Sequence, residues 1–304
     1  MLLENPGEFM SKSWKLVAVL VSMAWIATSS LGQSAAQKSG IDSALMAKAN
    51  AGNVDAQFRV GVQYELGARV AKDPAQAAAW YRKAADKGDA RAQHSLGVLY
   101  EFGTGVPLNP TQAAEWYHKA ADKGFAPAQF SLGLCYVHGK GVPQDYGQAL
   151  AWYQKAAEQN NSDAMMNLAY LYQNGEGVPK NEAKAFSLVR QAADAGSADA
   201  QFQLGMDYQD GEQGLQSDSD LAAKWLRKSA EQGHVAAQFN LAMVLKAQPA
   251  EVYFWLSVAT PHLTGSTKDK SKELQDGAAA RLKVAERVKI DERVKTWHPT
   301  EEQH

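Results

Sequence analysis

The six residues AQHSLG at 92–97 return as AQFSLG at 128–133 and, more loosely, as AMMNLA at 164–169. Each copy begins 36 residues after the one before it. The residues after each copy also return in step: a tyrosine (Tyr100, Tyr136, Tyr172), a glycine pair (Gly103/Gly105, Gly139/Gly141, Gly175/Gly177) and a Val-Pro pair (106–107, 142–143, 178–179). A fixed period of about 20 to 50 residues is typical of repeat arrays, so this stretch predicts stacked copies of one unit.

Each unit has the pattern of a helix A, a glycine loop, a helix B and a short turn. In the first unit, Gln57, Val60, Gly61 and Tyr64 are spaced as one face of helix A. The small residue of this face returns as Gly97, Gly133, Ala169 and Gly205. A glycine inside a helix costs about 1 kcal/mol relative to alanine. We therefore expect a neighbouring helix to approach closely at this position.

The loops and turns predict where the helices begin and end. Glycines such as Gly103 and Gly105 favour positive φ after helix A. An Asp or Asn suited to N-capping precedes each helix B, at Asp73, Asn109, Asp145, Asn181 and Asp218. A glutamine three residues later has the spacing of a capping box, at Gln76, Gln112 and Gln148. Residues that readily adopt a left-handed conformation then end helix B, at Gly88, Gly124, Asn160, Gly196 and Gly233.

The complete pattern is A-x-Q-x-x-L-G-x-x-Y-x-x-G-x-G-V, then A-x-x-W-Y-x-K-A-A-x-x-G. It resembles the Sel-one-like repeats over roughly residues 41–260. These repeats are α-helical relatives of the tetratricopeptide repeats, whose period is about 34 residues. The resemblance implies an all-α fold, a right-handed α-solenoid superhelix of paired antiparallel helices. It also implies binding to other proteins, without naming the partner.

We predict three segments: a signal peptide at 1–36, a repeat array at 37–260, and C-terminal capping helices with a frayed tail at 261–304. The array contains an N-terminal cap helix, five full repeats and one shortened repeat. Atypical ends are expected, because an uncovered terminal repeat would leave its apolar face in water. Gly277 is expected to divide the C-terminal segment into two helices. One apolar stripe is predicted there, at Leu274, Ala278, Leu282, Ala285, Val288 and Val294.

Residues 1–36 have the order of a secretory signal. Lys12 and Lys15 precede an uncharged apolar run at 16–27, and small residues follow it. The run is shorter than the ~20 residues of a membrane-spanning helix. We therefore predict an exported protein, periplasmic or secreted, with no stable membrane span after signal removal.

Three details of this segment stay open. Cleavage after Gly32 and cleavage after Ala36 both suit the small residues present. The start is Met1 or Met10. Retention of the segment as an N-terminal anchor is the alternative to cleavage.

Composition and motifs give no indication of an enzyme, a cofactor or a metal site. A formal net charge of −2 provides no basic excess for nucleic acid. Cys135 is the single cysteine, so no intramolecular disulfide forms and a small apolar filler is expected there. The G-x-G loops lack the context of a dinucleotide or phosphate-binding loop. The histidines lack zinc-site spacing, and no nucleophile motif occurs.

The candidate site is a partner-binding groove on helix A. Positions off the core face differ between repeats, and residues four apart lie on one side of a helix. Concave placement of these rows is implied by the family resemblance. The predicted groove residues are Arg59, Gln63, Ser95, Leu99, Ser131, Cys135, Asn167, Tyr170, Leu171, Gln203 and Asp207. The alternative, that the rows are solvated or packed between repeats, stays open.

The leading functional hypothesis is a non-enzymatic, exported scaffold that binds protein or peptide partners. One alternative is a cell-envelope hydrolase that acts on β-lactams or peptidoglycan. Another is a purely structural spacer. Capture of a partner from an envelope extract separates the scaffold from the spacer, and hydrolase assays test the enzyme.

Overall fold

The computed structural model describes residues 40–212 and 215–300. The predicted signal peptide and residues 301–304 of the predicted tail lie outside these residues. The described part of the chain divides into two compact units, one ending at Gln159 and the other beginning at Asn160. All regular secondary structure within it is helical, which confirms the predicted all-α class.

The described part of the first unit begins with the helix α1 (Ser43–Asn50). Three pairs of helix A and helix B follow in its described residues: α2 (Val54–Leu66) with α3 (Pro74–Asp86), α4 (Ala90–Phe102) with α5 (Pro110–Ala121), and α6 (Ala126–His138) with α7 (Tyr146–Ala157). The first pair shows the antiparallel course. Phe58 packs on Tyr81, while the Tyr64 carbonyl accepts a hydrogen bond from the Asp73 N–H.

The second unit continues the same arrangement. Its pairs are α8 (Ser162–Asn174) with α9 (Glu182–Asp194), α10 (Ala198–Asp210) with α11 (Ser219–Glu231), and α12 (Val235–Val244) with α13 (Pro249–Ala259). A 3₁₀ turn at Thr260–His262 leads to α14 (Gly265–Ala280) and α15 (Val284–Thr296).

The predicted N-caps of helix B are confirmed. The Asp73 carboxylate accepts a hydrogen bond of 3.0 Å from the Gln76 N–H. The same bond forms at Asn109, Asp145, Asn181 and Asp218. The predicted capping box is wrong, because the Asp73 N–H donates at 2.9 Å to the Tyr64 carbonyl instead. The recurring tyrosine of helix A thus supplies the acceptor that the glutamine was expected to supply.

The loop glycines adopt the predicted conformation. Gly103 has a φ of 64° and Gly105 a φ of 73°. Asn160 has a φ of 62° and is the one non-glycine residue with positive φ in the described chain. Gly105 has a second reason to be glycine, because an added Cβ would lie 2.3 Å from the backbone of Pro74 in the preceding repeat.

The recurring glycine within helix A lies against an aromatic ring of helix B. An added Cβ at Gly61 would come within 2.6 Å of the Tyr81 ring. The equivalent pairs are Gly97 with Tyr117 and Gly133 with Tyr153. All three tyrosine side chains are fully buried. The predicted close approach is confirmed, and a ring on helix B accounts for it.

In most repeats a glutamine near the start of helix A forms a hydrogen bond to the helix before it. Gln57 Nε2 donates at 3.1 Å to the Ala49 carbonyl near the end of α1, so α1 acts as a helix B. The same bond, again spanning eight residues, forms at Gln93, Gln129, Gln201 and Gln238. Each of these carbonyls also accepts a backbone N–H from the turn, so the buried amide provides its second hydrogen bond. In the fourth repeat Met165 occupies the position of the glutamine.

Helix B has a tryptophan that is covered by a lysine three residues later. Lys83 Nζ lies 3.8 Å from the centre of the Trp80 ring, a cation–π arrangement. The pair returns as Trp116 with Lys119, Trp152 with Lys155 and Trp225 with Lys228. In the fourth repeat Leu188 and Gln191 take these places, so both partners change together.

The C-terminal helices differ from the prediction in detail. Helix α14 runs through Gly277, where an added Cβ would meet nothing within 4 Å, so the predicted break there is wrong. The break falls at 281–283 instead. Val288 is 55% exposed, whereas Val294 and Trp297 pack against the core around Trp255.

Candidate functional site

Five of the eleven predicted groove residues are buried: Ser95, Leu99, Cys135, Leu171 and Asp207. Residues four apart do share one side of helix A, but at these positions that side is covered by neighbouring helices. Leu99 and Cys135, for example, belong to apolar cores of the first unit. Ser95, Leu99, Cys135 and Leu171 are therefore not available to a partner, whereas Asp207 lines a small cavity.

The other six predicted residues reach the surface to different extents. Arg59 and Tyr170 are exposed, while Gln63, Ser131, Asn167 and Gln203 are partly exposed. Arg59 lies 4.0 Å from Asp55, and Asn167 Nδ2 donates at 2.8 Å to the Asp163 carbonyl. Both contacts stay within one helical turn, so they leave the side chains accessible.

Ser131 contacts a buried histidine of the preceding repeat. His94 Nε2 lies 3.2 Å from Ser131 Oγ, and the imidazole packs against Tyr117 and Phe125. Burial lowers the pKa of His94 to about 4. His94 is consequently a neutral packing residue between two helices A.

In the second unit, two predicted groove residues line a small cavity. Its volume is about 10 Å³, close to the minimum that holds one water molecule. The lining residues are Gln203 and Asp207 of α10, Gln173 of α8, and Ala185, Phe186 and Val189 of α9. Gln173 is exposed, so the cavity opens toward solvent on its side.

Asp207 is the charged group of this cavity. Its side chain belongs to a residue only 6% exposed, and Oδ2 is buried without a hydrogen-bond partner among the described residues. Burial, together with the carboxylates of Glu212 and Asp210, raises the pKa of Asp207 to about 6. The charged groups that act on it are both acidic, so its ionised form has no compensating charge.

A larger cavity of about 320 Å³ lies near the end of the second unit. Its lining includes Arg227, Glu231, Gln248, Glu251, Trp255 and Arg293. The Glu251 carboxylate accepts from Arg293 at 3.2 Å and from Trp255 Nε1 at 3.3 Å. Sequence reasoning missed this cavity, because Arg293 lies 42 residues after Glu251. Two arginines and two glutamates leave it without net charge.

The remaining chemistry of the described residues is sparse. They contain no group of three or more His, Cys, Asp or Glu residues placed to hold a metal ion. Nor do they include a helix with the length and apolar character needed to cross a membrane. Cys135 is a packed filler as predicted, and burial raises the pKa of its thiol to about 12.

Two comparisons with solved structures are informative. A Sel1 repeat protein from Oxalobacter formigenes is 34% identical, with a TM-score of 0.65, over 70% of this chain and 89% of that one. A protective antigen of uropathogenic Escherichia coli, described as displaying an SLR fold, is 29% identical, with a TM-score of 0.64, over 82% of this chain. The match spans only 58% of the antigen's own length. Comparison with curated proteins gives no match.

Comparison with protein families identifies Sel1 repeats at 54–89, 90–125, 126–161, 162–197 and 198–234. Together these ranges cover more than half of the chain. Each begins at the first residue of a helix A, and each includes the helix B that comes after it. The repeat boundaries derived from the sequence, the helix pairs and the family comparison agree, and the chain belongs to the Sel1 repeat family.

Proposed function

We propose that the chain is a non-enzymatic, exported scaffold that binds protein partners through the exposed side chains of its helices A. Sel1 repeats generally mediate protein interactions and are typically non-catalytic. The proposal rests on the difference between framework positions and exposed positions along helix A. Its glycine, glutamine and tyrosine positions make framework contacts that recur in most repeats, whereas Arg59, Asn167 and Tyr170 make none of them.

Tyr170 is the strongest single candidate for partner contact. It is 36% exposed and is one of the few large apolar side chains that the described residues leave exposed. Tyrosine is enriched at the energetic centres of protein interfaces. Its row carries smaller aliphatic residues in the first three repeats (Val62, Val98, Leu134), so the repeat framework does not require an aromatic side chain there.

The test is cross-linked capture of partners from an envelope extract, with the full chain as bait and Tyr170→Ser as the variant. Loss of at least one specific partner is expected. Leu108→Ser is the matched control, because Leu108 is 65% exposed and lies in a loop outside helix A. Equal capture by wild type and the Tyr170 variant would count against the helix-A surface. Leu171→Ala is unsuitable, since Leu171 is only 1% exposed and its truncation would weaken the core.

Export is proposed from the charged, apolar and small-residue order of residues 1–36. Fractionation followed by N-terminal sequencing tests the proposal. A mature end at Gln33 or Gln37 in the exported fraction supports it, and an intact N-terminus in the cytoplasmic fraction argues against it.

The non-enzymatic part is tested directly. The purified chain should leave β-lactams and peptidoglycan fragments unhydrolysed. Turnover that co-purifies with the chain and disappears on its unfolding would favour the hydrolase alternative.

A further inference from the structure

A tyrosine of helix B fills a space between consecutive repeats. In the first repeat the Tyr81 hydroxyl donates to Glu65 and lies within hydrogen-bonding reach of Ser95. Leu99 of the next helix A belongs to the same buried cluster as Tyr81. The second repeat has the same arrangement, with the Tyr117 hydroxyl donating to Glu101 at 2.6 Å. This space is therefore formed by four positions, which in the first case are those of Tyr81, Glu65, Ser95 and Leu99.

The junction between the fourth and fifth repeats has different residues at all four positions. In the 36-residue period, Glu65, Tyr81, Ser95 and Leu99 correspond to Gln173, Val189, Gln203 and Asp207. These last four are all lining residues of the small cavity in the second unit. Valine lacks the ring and the hydroxyl, so the cavity corresponds to the space that the tyrosine occupies in earlier repeats.

The substitutions also change the chemistry of this space. The junction between the first two repeats has the apolar Leu99. The junction between the fourth and fifth repeats has Asp207 at the same position, and its Oδ2 is buried without a hydrogen-bond partner among the described residues. A buried ionised carboxylate is costly unless it is paired. Glu212 and Asp210 add negative charge nearby. A ligand that carries positive charge would therefore be stabilised here, and an anion would be repelled.

The size and shape of the cavity favour an ammonium group over a guanidinium group. The cavity of about 10 Å³ has room for a group the size of a water molecule. An ammonium is compact and carries three donors, whereas a guanidinium is a wide planar fork. Asp207, Gln203 and Gln173 provide acceptors, and Phe186 and Val189 provide an apolar wall. A lysine side chain matches both, since its methylene stem packs on apolar surface while its charge meets the acceptors.

We propose that this cavity receives the ammonium group of a lysine side chain presented by a protein partner. The inference rests on the proposed scaffold function and adds the chemistry of one contact. It assigns Asp207 as the charge that recognises the partner and Val189 as the residue that makes room for it.

The first test titrates n-butylammonium, a mimic of the lysine side chain, into the full chain and follows the Asp207 carboxyl and Val189 methyl signals by NMR. Saturable shifts are expected. The Asp207→Asn variant, which keeps the shape and removes the charge, should bind at least about tenfold more weakly. Asp194→Asn is the matched control, since Asp194 is an exposed acidic residue that neither lines the cavity nor acts on the charge of Asp207, and n-butylammonium binding should change far less. n-Butylguanidinium should also bind more weakly than n-butylammonium.

The second test fills the cavity as the first three repeats do. The double variant Ala169→Gly with Val189→Tyr restores the glycine–tyrosine pair, so the ring gains the clearance that Ala169 would deny it. Such a variant should remain folded and lose the n-butylammonium shifts. Wild-type binding by Asp207→Asn, or stronger binding of the guanidinium, would overturn the proposal even if the double variant failed to fold.

Partner capture separates this inference from the scaffold function. A partner that wild type and Asp207→Asn capture equally would overturn the lysine contact and leave the scaffold intact. A partner whose capture falls with Asp207→Asn and whose own lysine-to-methionine substitution has the same effect would support both.

Discussion

The Tyr117 hydroxyl donates a hydrogen bond of 2.6 Å to Glu101, and the equivalent hydroxyl one repeat later has no such partner. Val137 occupies the position that corresponds to Glu101. The Tyr153 hydroxyl is therefore buried without a hydrogen bond among the described residues. Two tyrosines with the same packing thus differ in one polar contact.

This difference predicts opposite responses to the same substitution. Tyr117→Phe should lower the free energy of unfolding by about 1–3 kcal/mol, because it removes a bond to a charged group. Tyr153→Phe should leave stability unchanged or raise it slightly, since it removes an unpaired buried hydroxyl. Urea unfolding at constant pH measures both. Equal losses in the two variants would mean that the Tyr153 hydroxyl is paired.

The glycine–tyrosine contacts predict that Gly97→Ala destabilises the chain. Alanine favours a helix by about 1 kcal/mol, but a Cβ within 2.6 Å of the Tyr117 ring should cost about 1–3 kcal/mol through overpacking. The net expectation is a lower Tm. In a Tyr117→Val background, which removes the ring and has the Ala–Val pairing of the fourth repeat, Gly97→Ala should no longer destabilise the chain.

Gly277→Ala is the control for helix propensity. Gly277 lies within α14, and an added Cβ there would meet nothing within 4 Å. Its replacement should raise stability by up to about 1 kcal/mol. If both glycine variants stabilise the chain equally, the close approach at Gly97 has no energetic consequence.

Asp207 predicts a loss of stability as pH rises. Its pKa is raised from 3.8 to about 6 in the folded chain, so the folded state holds this proton more tightly than the unfolded chain. The stabilisation that this bound proton gives the folded state is therefore fully present below about pH 4 and is lost as pH rises through about 6. Its contribution to the free energy of unfolding is at most about 3 kcal/mol. Asp207→Asn should remove this dependence. Unfolding midpoints between pH 4 and 7, compared between wild type and variant, measure it, and parallel curves would refute it.

His94 predicts the opposite dependence in the first unit. Burial lowers its pKa from 6.5 to about 4, so the unfolded chain binds the proton first as pH falls. Stability should be lost from about pH 6.5 downward, by at most about 3 kcal/mol at pH 4. His94→Phe introduces the residue found at the equivalent positions 58, 130 and 202 and should flatten this loss. A variant with the wild-type acid profile would contradict the assignment.

The helices were predictable because their signals are local. The Asp73 cap, the left-handed Gly103 and the helix-A glycines each act within a few residues of their position in the sequence. The capping box failed for a non-local reason. Its acceptor comes from Tyr64, nine residues before the Asp73 cap, and spacing around the cap alone does not indicate it.

The groove rows were harder to predict. Periodicity shows which residues share a side of helix A, but not how much of that side the next helices cover. Leu99, Cys135 and Leu171 succeed one another in a single row, and their apolar character was the available signal that this row is packed. Asp207 is a charged residue in the same, otherwise apolar row. The structure accounts for it, because Asp207 lines a cavity that the sequence alone did not indicate.

The glutamine bond found at five of the junctions also bears on how such a chain can change length over generations. Donor and acceptor lie eight residues apart, as in Gln93 and Ala85, so both halves of a junction are encoded side by side. A duplicated or deleted stretch of one whole period would therefore reconstitute the junction wherever the breakpoints fell. Unequal recombination could therefore lengthen or shorten the protein by whole repeats, with no compensating substitutions elsewhere in the gene.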